Sequence, residues 1–110
     1  MGQQHQLNGT NISYIGQAQW SDAPQGEYLG GDEVLGRWKQ HTWTANVMTA
    51  ATFDTLYAQQ GQTVTLTTTD YNDRNGANYK TYYNAILTGV TGQHNGPNVE
   101  QVKIDFTVAI

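Results

Sequence analysis

A chain of 110 residues with five basic and nine acidic side chains, a net charge of -4 and no cysteine has room for one modest core, so residues 1–110 are expected to form a single domain. Missing thiols exclude a disulfide scaffold and thiolate metal sites, and the acidic balance leaves no basic stripe to neutralise a phosphate backbone, so direct nucleic-acid binding is not expected. Charged residues make up only 13% of the chain, against about 25% in an average soluble domain, which leaves few like charges to hold copies apart.

Residues 1–6 are polar and are expected to form a flexible arm, with no basic region leading into an apolar one as a secretory signal would need. Ile12 and Tyr14 are spaced for one face of a short strand, and Ala18 and Trp20 alternate in a second. Residues 21–31, with Pro24, Gly26 and Gly30-Gly31, read as a long loop. Residues 34–48 have period two. Trp38 and Trp43 differ by an odd number there, so either one faces away from the core or a bulge restores the phase.

Thr49 is placed to cap a short helix over about 50–60, with Phe53, Leu56 and Tyr57 as its apolar stripe and Gly61 as its stop. A strand over 62–69 follows, with Val64 and Leu66 inward, then a turn-rich connection containing Asn75-Gly76. In the strand over 79–90, Tyr79, Tyr83, Ala85 and Leu87 share one parity and Tyr82, Ile86 and Val90 the other. Two apolar faces imply a central position, a helix on the second side or a subunit contact. Residues 89–98 read as the final loop. Over 102–110, Val102, Ile104, Phe106, Val108 and Ile110 then alternate strictly with Lys103, Asp105, Thr107 and Ala109, the pattern of a strand covering a core on one side. The expected fold class is α+β, mainly β: an antiparallel sheet forming a sandwich or partly rolled barrel, with one short helix packed against it. No apolar run approaches the 18 or so residues of a membrane helix, so membrane insertion is not expected.

Residue patterns for catalysis are absent. His5, His41 and His94 stand far apart in polar segments and are read as exposed, not as metal ligands. Residues 70–76 approach a calcium loop, but Arg74 intrudes and no Glu follows before Glu100, so a hairpin turn is the preferred reading. Asp32-Glu33, the adjacent acidic pair, would point apart in a strand. Ser13 and Ser21 lack a nucleophile elbow, and Asp32-Glu33 after Gly30-Gly31 would repel phosphate. Asn8 and Asn11 match the glycosylation pattern without a secretory signal beside it. The chain is therefore read as a non-enzyme without catalytic, cofactor-binding or metal residues. Aromatic residues carry the remaining signal. Tyr28, Trp38 and Tyr82 suit a core or subunit interface, with Asn75 and Gly76 at an exposed turn beside it, whereas Trp20 and Trp38 among many amides could instead form a sugar-binding platform.

The runs 42–48, a helix with Phe53 and Leu56, 61–67, 83–87 and 102–106 together resemble small β-rich tail proteins of tailed bacteriophages. The likeness is to the fold of tail-tube, distal-tail and baseplate-adaptor subunits, and it spans about residues 36–110. It implies a structural virion subunit, assembled in the bacterial cytoplasm into homo-oligomeric rings, commonly hexameric, that contact other tail or baseplate proteins without catalysis. The chain is shorter than most such proteins and lacks the second domain of many distal-tail subunits, so the level in the tail is left open. The alternative reading is a carbohydrate-binding module, which could also be borne on a virion.

Overall fold

The computed structural model of the chain describes residues 4–12, 14–22, 28–29, 32–33, 38–73 and 75–109, with backbone alone at Asp22, Tyr28, Leu29, Asp32, Glu33 and Trp38. Its elements are β1 (Gln6–Leu7), β2 (Thr10–Asn11), β3 (Gln17–Asp22), β4 (Tyr28–Leu29), β5 (Asp32–Glu33), β6 (Trp38–Thr49), α1 (Ala50–Tyr57), β7 (Thr63–Thr69), β8 (Tyr79–Asn95) and β9 (Asn98–Ala109). Seven strands form one antiparallel sheet in the order β2-β1-β7-β8-β9-β6-β3, and β4 pairs with β5 in a separate hairpin. The expected class holds: a mainly β fold on an antiparallel sheet with a single short helix among the described residues.

The terminal alternation places Val102, Ile104, Phe106 and Val108 in the core with almost no exposure, while Ile110 lies outside the described residues. This strand pairs with β6 from Trp38–Ala109 to Thr49–Asn98 in one constant register. No bulge therefore separates Trp38 from Trp43. Trp43 is fully buried, and the Trp38 side chain is outside the described residues. On the outer face the Thr42 hydroxyl donates to Asp105 Oδ1 across the same pair at 2.8 Å.

The sheet rolls without closing. Its β3 end comes round to the β1/β7 end, so that the Trp20 indole N–H donates to the Thr69 carbonyl at 2.9 Å and the His5 ring meets Trp43 edge-on at 5.3 Å. Residues His5 and Gln6 are thus built into this wall: Gln6 pairs with both Asn11 and Thr67, and the arm expected over residues 1–6 does not include them. Residues 1–3 lie outside the described chain. The loop expected over 21–31 is likewise shortened, since Ser21 and Asp22 extend β3 along β6 and β4 and β5 form a hairpin; residues 23–27 and 30–31 are outside the described chain. Ile12 is buried but Tyr14 is exposed, so they share no common face.

β8 corrects the two-faced strand. Its register shifts twice, opposite Val64/Leu66 on β7 and between Leu87 and Gly89 against β9. Each shift inserts one residue and reverses the alternation. Tyr82, Ala85, Leu87 and Val90 consequently all enter the same core, leaving Tyr83 71% exposed. A second buried face is not needed to explain the sequence. The strand also runs on to Asn95, so the loop expected over 89–98 contracts to a turn at Gly96-Pro97, with Gly96 at φ 63°. β9 shifts phase too, through Gln101 at φ 52°, which is how Val99 and Val102 both face inward.

Thr49 caps α1 by accepting from the Thr52 N–H. Phe53 and Leu56 are buried, while Tyr57 is 55% exposed and does not join the stripe. Burying each of these two side chains supplies roughly 2 kcal/mol, enough to hold a helix of two turns that would not persist alone. The helix sits so close to the sheet that a Cβ on Gly92 would stand 2.5 Å from Val99 Cγ1 and 3.0 Å from Phe53 Cε1. Both neighbours are buried and the valine is stiff about χ1. Gly92→Ala is expected to cost about 1–3 kcal/mol by overpacking, read as a lower midpoint in urea unfolding at unchanged m-value.

Candidate functional site

The rolled edge opens a cleft of about 680 Å³ between β3 and the 70–78 turn, with Ala18, Trp20 and Ser21 on one side and Tyr71, Asp73 and Asn75 on the other. Thr69 and Gly76 complete its described lining. Strand alternation puts Trp20 on the inner side of β3, and the bond from its indole to Thr69 fixes the cleft's width.

The opposite wall is shaped by two aspartates. Asp70 Oδ1 accepts from the Asn72 N–H at 3.0 Å, a local Asx turn. Asp73 accepts from the Asn75 N–H through Oδ1 at 3.0 Å and from the Ala77 and Asn78 N–H groups through Oδ2 at 3.0 and 2.7 Å. Those backbone donors, the one from Asn78 foremost, hold the Asp73 carboxyl below its ordinary pKa. The turn is therefore closed around a carboxylate, and Gly76 supplies the positive φ of 72°. This matches the turn reading of residues 70–76. Among the described residues, no three His, Cys, Asp or Glu side chains gather as a metal site would require.

The cleft's aromatic rings do not form a platform. Trp20 and Tyr71 meet edge-on, 5.4 Å apart at 84°, and Lys39 Nζ lies 5.4 Å over the Tyr71 ring. Of the residues singled out from sequence, Trp20, Asn75 and Gly76 come together here. Tyr82 does not join an open surface: it is buried behind the cleft, 5.3 Å from Trp20, and its hydroxyl accepts from the Tyr71 N–H at 2.9 Å. Burial first, with Asp70 adding to it, raises its phenol pKa. Of the two readings of Tyr82, core or subunit interface, the core holds, because the bulge in β8 turns it inward. The side chains of Tyr28 and Trp38 lie outside the described residues.

Behind Trp20 lies a buried polar cluster that the sequence reading missed. His41, read as exposed, is completely buried, with its ring 4.2 Å from that of Trp20. His5 is half-buried, and His94 alone is exposed, as expected. Thr68 Oγ1 stands at the centre: Trp43 Nε1 lies 3.0 Å away, His41 Nε2 2.8 Å and His5 Nδ1 2.9 Å. A hydroxyl has one proton and two lone pairs. The indole N–H takes one lone pair, so one histidine must donate to the other and the second must accept. The Gln19 carbonyl beside His41 favours a proton on Nδ1 there, although no full hydrogen bond to that nitrogen forms. The arrangement that satisfies the Thr68 hydroxyl and both His5 nitrogens has His5 Nδ1–H donating to Thr68, Thr68 donating to His41 Nε2, and the Tyr79 hydroxyl donating to His5 Nε2 at 3.3 Å, with His41 Nδ1 left as the buried atom without a full partner. Burial first and the neighbouring His5 second drive the His41 pKa down to about 3, against an opposing pull from the Gln19 backbone. Burial lowers His5 as well.

Parity was the available signal for Thr68, which shares the inward face of β7 with Val64 and Leu66. Tyr71 and Asp73 carried no comparable signal, since their position depends on how the sheet rolls. Compared with known proteins, the chain matches no family model, no curated protein and no solved structure.

Proposed function

We propose that the chain is a non-catalytic structural subunit of a bacteriophage tail or baseplate, working in the virion by joining copies of itself in a ring and contacting neighbouring tail proteins. What supports this reading is the order of elements, a long strand running directly into a short helix, then a strand and a hairpin that ends in a strand paired on both sides. The observation that carries it is the outer half of β8 and its turn: residues 91–98 are exposed one after another, although residues 91 and 93–95 remain paired with β9. Gly92 and His94 touch Phe53 on one side of that stretch, but its side chains are otherwise left open to solvent. Backbone ordering costs about 1–2 kcal/mol per residue, and a stretch that gains so little burial within the monomer is suited to gaining it from another copy.

A low-charge surface removes the repulsion that would oppose such stacking. Many weak contacts around a closed ring then add, so that each alone need not be strong. Light scattering coupled to size exclusion at rising protein concentration is expected to show mass growing in ring-sized steps. The double substitution Thr91→Lys with Gln93→Lys is expected to abolish that growth while leaving the thermal midpoint unchanged, both side chains being exposed. A wild-type monomer at every concentration, with no ring or tube in negative-stain micrographs, would overturn the reading.

A further inference from the structure

We propose that the cleft between β3 and the 70–78 turn binds a neutral pyranoside sugar, with Trp20 and Tyr71 as its aromatic walls and Asp73 and Asn75 as its polar contacts. This goes beyond the assembly reading and does not rest on it.

The size is the first argument. A cleft of about 680 Å³ lies within the roughly 300–1,000 Å³ of small-molecule sites, and it is open enough for a ring whose next residue continues into solvent. The lining chemistry is the second. Two rings at 84° make a corner, not a slot, so a flat heteroaromatic could not stack on both. A pyranose fits a corner, because its axial C–H groups can lie on one ring face while its edge meets the other. Ala18 is the sole aliphatic among the described lining residues, which gives an apolar ligand little to hold.

Preorganisation is the third argument. Asp73 is clamped by three backbone N–H groups, so its carboxylate is already fixed in place at the cleft and presents an acceptor edge to a sugar hydroxyl without loop rearrangement. A carboxylate fixed in its charged form also sets selectivity, since phosphates, sulfates and uronates are repelled. Asn75 is exposed beside it, with two amide donors and an acceptor on its side chain, and Ser21 also lines the cleft. Trp20 is held for the task from behind, by its bond to Thr69 and by the His41 ring.

The test is a titration of the ¹⁵N-labelled full chain with the methyl pyranosides of glucose, galactose, mannose and N-acetylglucosamine, each to about 50 mM, since single-ring affinities near 1 mM are the expected range. At least one is expected to give saturable shifts at the Trp20 indole N–H and at the amides of Tyr71, Asn75 and Gly76. Methyl glucuronide is expected to give none. Asn75→Ala keeps the backbone N–H that Asp73 accepts and should fold normally; it is expected to weaken binding about five- to tenfold, the loss of one or two hydrogen bonds. Absence of a saturable shift at these positions with all four neutral sugars would overturn the proposal, as would wild-type affinity in Asn75→Ala. Either result would leave the oligomer measurements untouched, so the two readings fail separately.

Discussion

Acidification from pH 7 to pH 4 is expected to remove about 3 kcal/mol of stability through His41 alone, with about 2 kcal/mol already gone at pH 5. The folded-state pKa of His41 is driven down to about 3, from 6.5, first by burial and then by His5. A depressed basic group binds its proton in the unfolded chain before it does so in the folded one. Its contribution is therefore complete above pH 6.5 and is lost as the pH falls from there toward 3. His5, also lowered by burial, acts in the same direction. The groups facing His41 from the surrounding strands are Trp20 on β3, Trp43 on β6, Thr68 on β7 and Phe106 on β9. None of these ionises in this range, and His5 is the titrating neighbour. Asp73, held below its ordinary pKa by the backbone donors around it, loses its contribution only in still more acidic solution.

The cause is a count of protons as well as burial. A charged His41 would have to donate from Nε2, yet Thr68 already accepts from Trp43 and His5 and has no third lone pair. The check is thermal unfolding between pH 7 and pH 4, with a fall of roughly 4 °C for each kcal/mol at this chain length. His41→Gln supplies the control. Its amide can accept the Thr68 proton without titrating, so it should be less stable at pH 7 through lost packing but distinctly flatter with pH. A wild-type midpoint that does not move between pH 7 and pH 5 would rule out a buried neutral His41.

Much of the framework was legible because alternation and capping are local. The run from Val102 to Val108 needed no more than period two, and Thr49 marked the start of the helix through its own capping chemistry, although the helix ends at Tyr57 with Ala58 as its C-cap and not at Gly61. What stayed hidden was phase. Tyr82 and Ala85 differ by an odd number and still share a face, since a bulge inserts a residue between them. Nothing about Tyr83 or Asn84 announces it. Gln101 at positive φ is a second case, a position where glycine or asparagine would have been the readable choice. Because the bulges were invisible, β8 looked apolar on both sides, and a central position, a helix on the second side and a subunit contact stayed open for it; the strand is central, between β7 and β9, and Tyr82 is in the core.

The candidate site was legible only in pieces. Trp20, Asn75 and Gly76 were marked by type, one for an aromatic ring and two for an exposed turn. Their meeting depends on the curl of a seven-stranded sheet, which brings residue 20 next to residue 69 and is a property of all its strands together. The histidines failed for the converse reason. A polar residue in a polar stretch reads as exposed, and only the inward parity of Thr68 offered a hint that polar groups belonged inside. Once there, they give the back of the cleft a fixed geometry: Thr68 orients His41, and His41 supports the ring of Trp20.

Thr68→Val should show how much of the fold depends on that one hydroxyl, with an expected loss of about 2–5 kcal/mol at pH 7. Valine has nearly the shape of threonine and at least its strand preference, so neither packing nor backbone should suffer. What changes is polar satisfaction. The Trp43 N–H loses its acceptor and His41 Nε2 loses its donor, both within the fully buried core. Each buried orphan costs about 1–3 kcal/mol. His5 is half-buried, and water can replace its lost partner. Thr63→Val is the matched comparison on the same strand; its side chain is exposed and should change stability by no more than about 0.5 kcal/mol. Trp43→Phe removes the indole donor itself, so in the Thr68→Val background it should cost at least about 1 kcal/mol less than in the wild type, a coupling that urea unfolding of the four proteins measures directly. Additive losses would mean that the indole and the hydroxyl do not meet, and the proton count at Thr68, with the acid sensitivity drawn from it, would fall together.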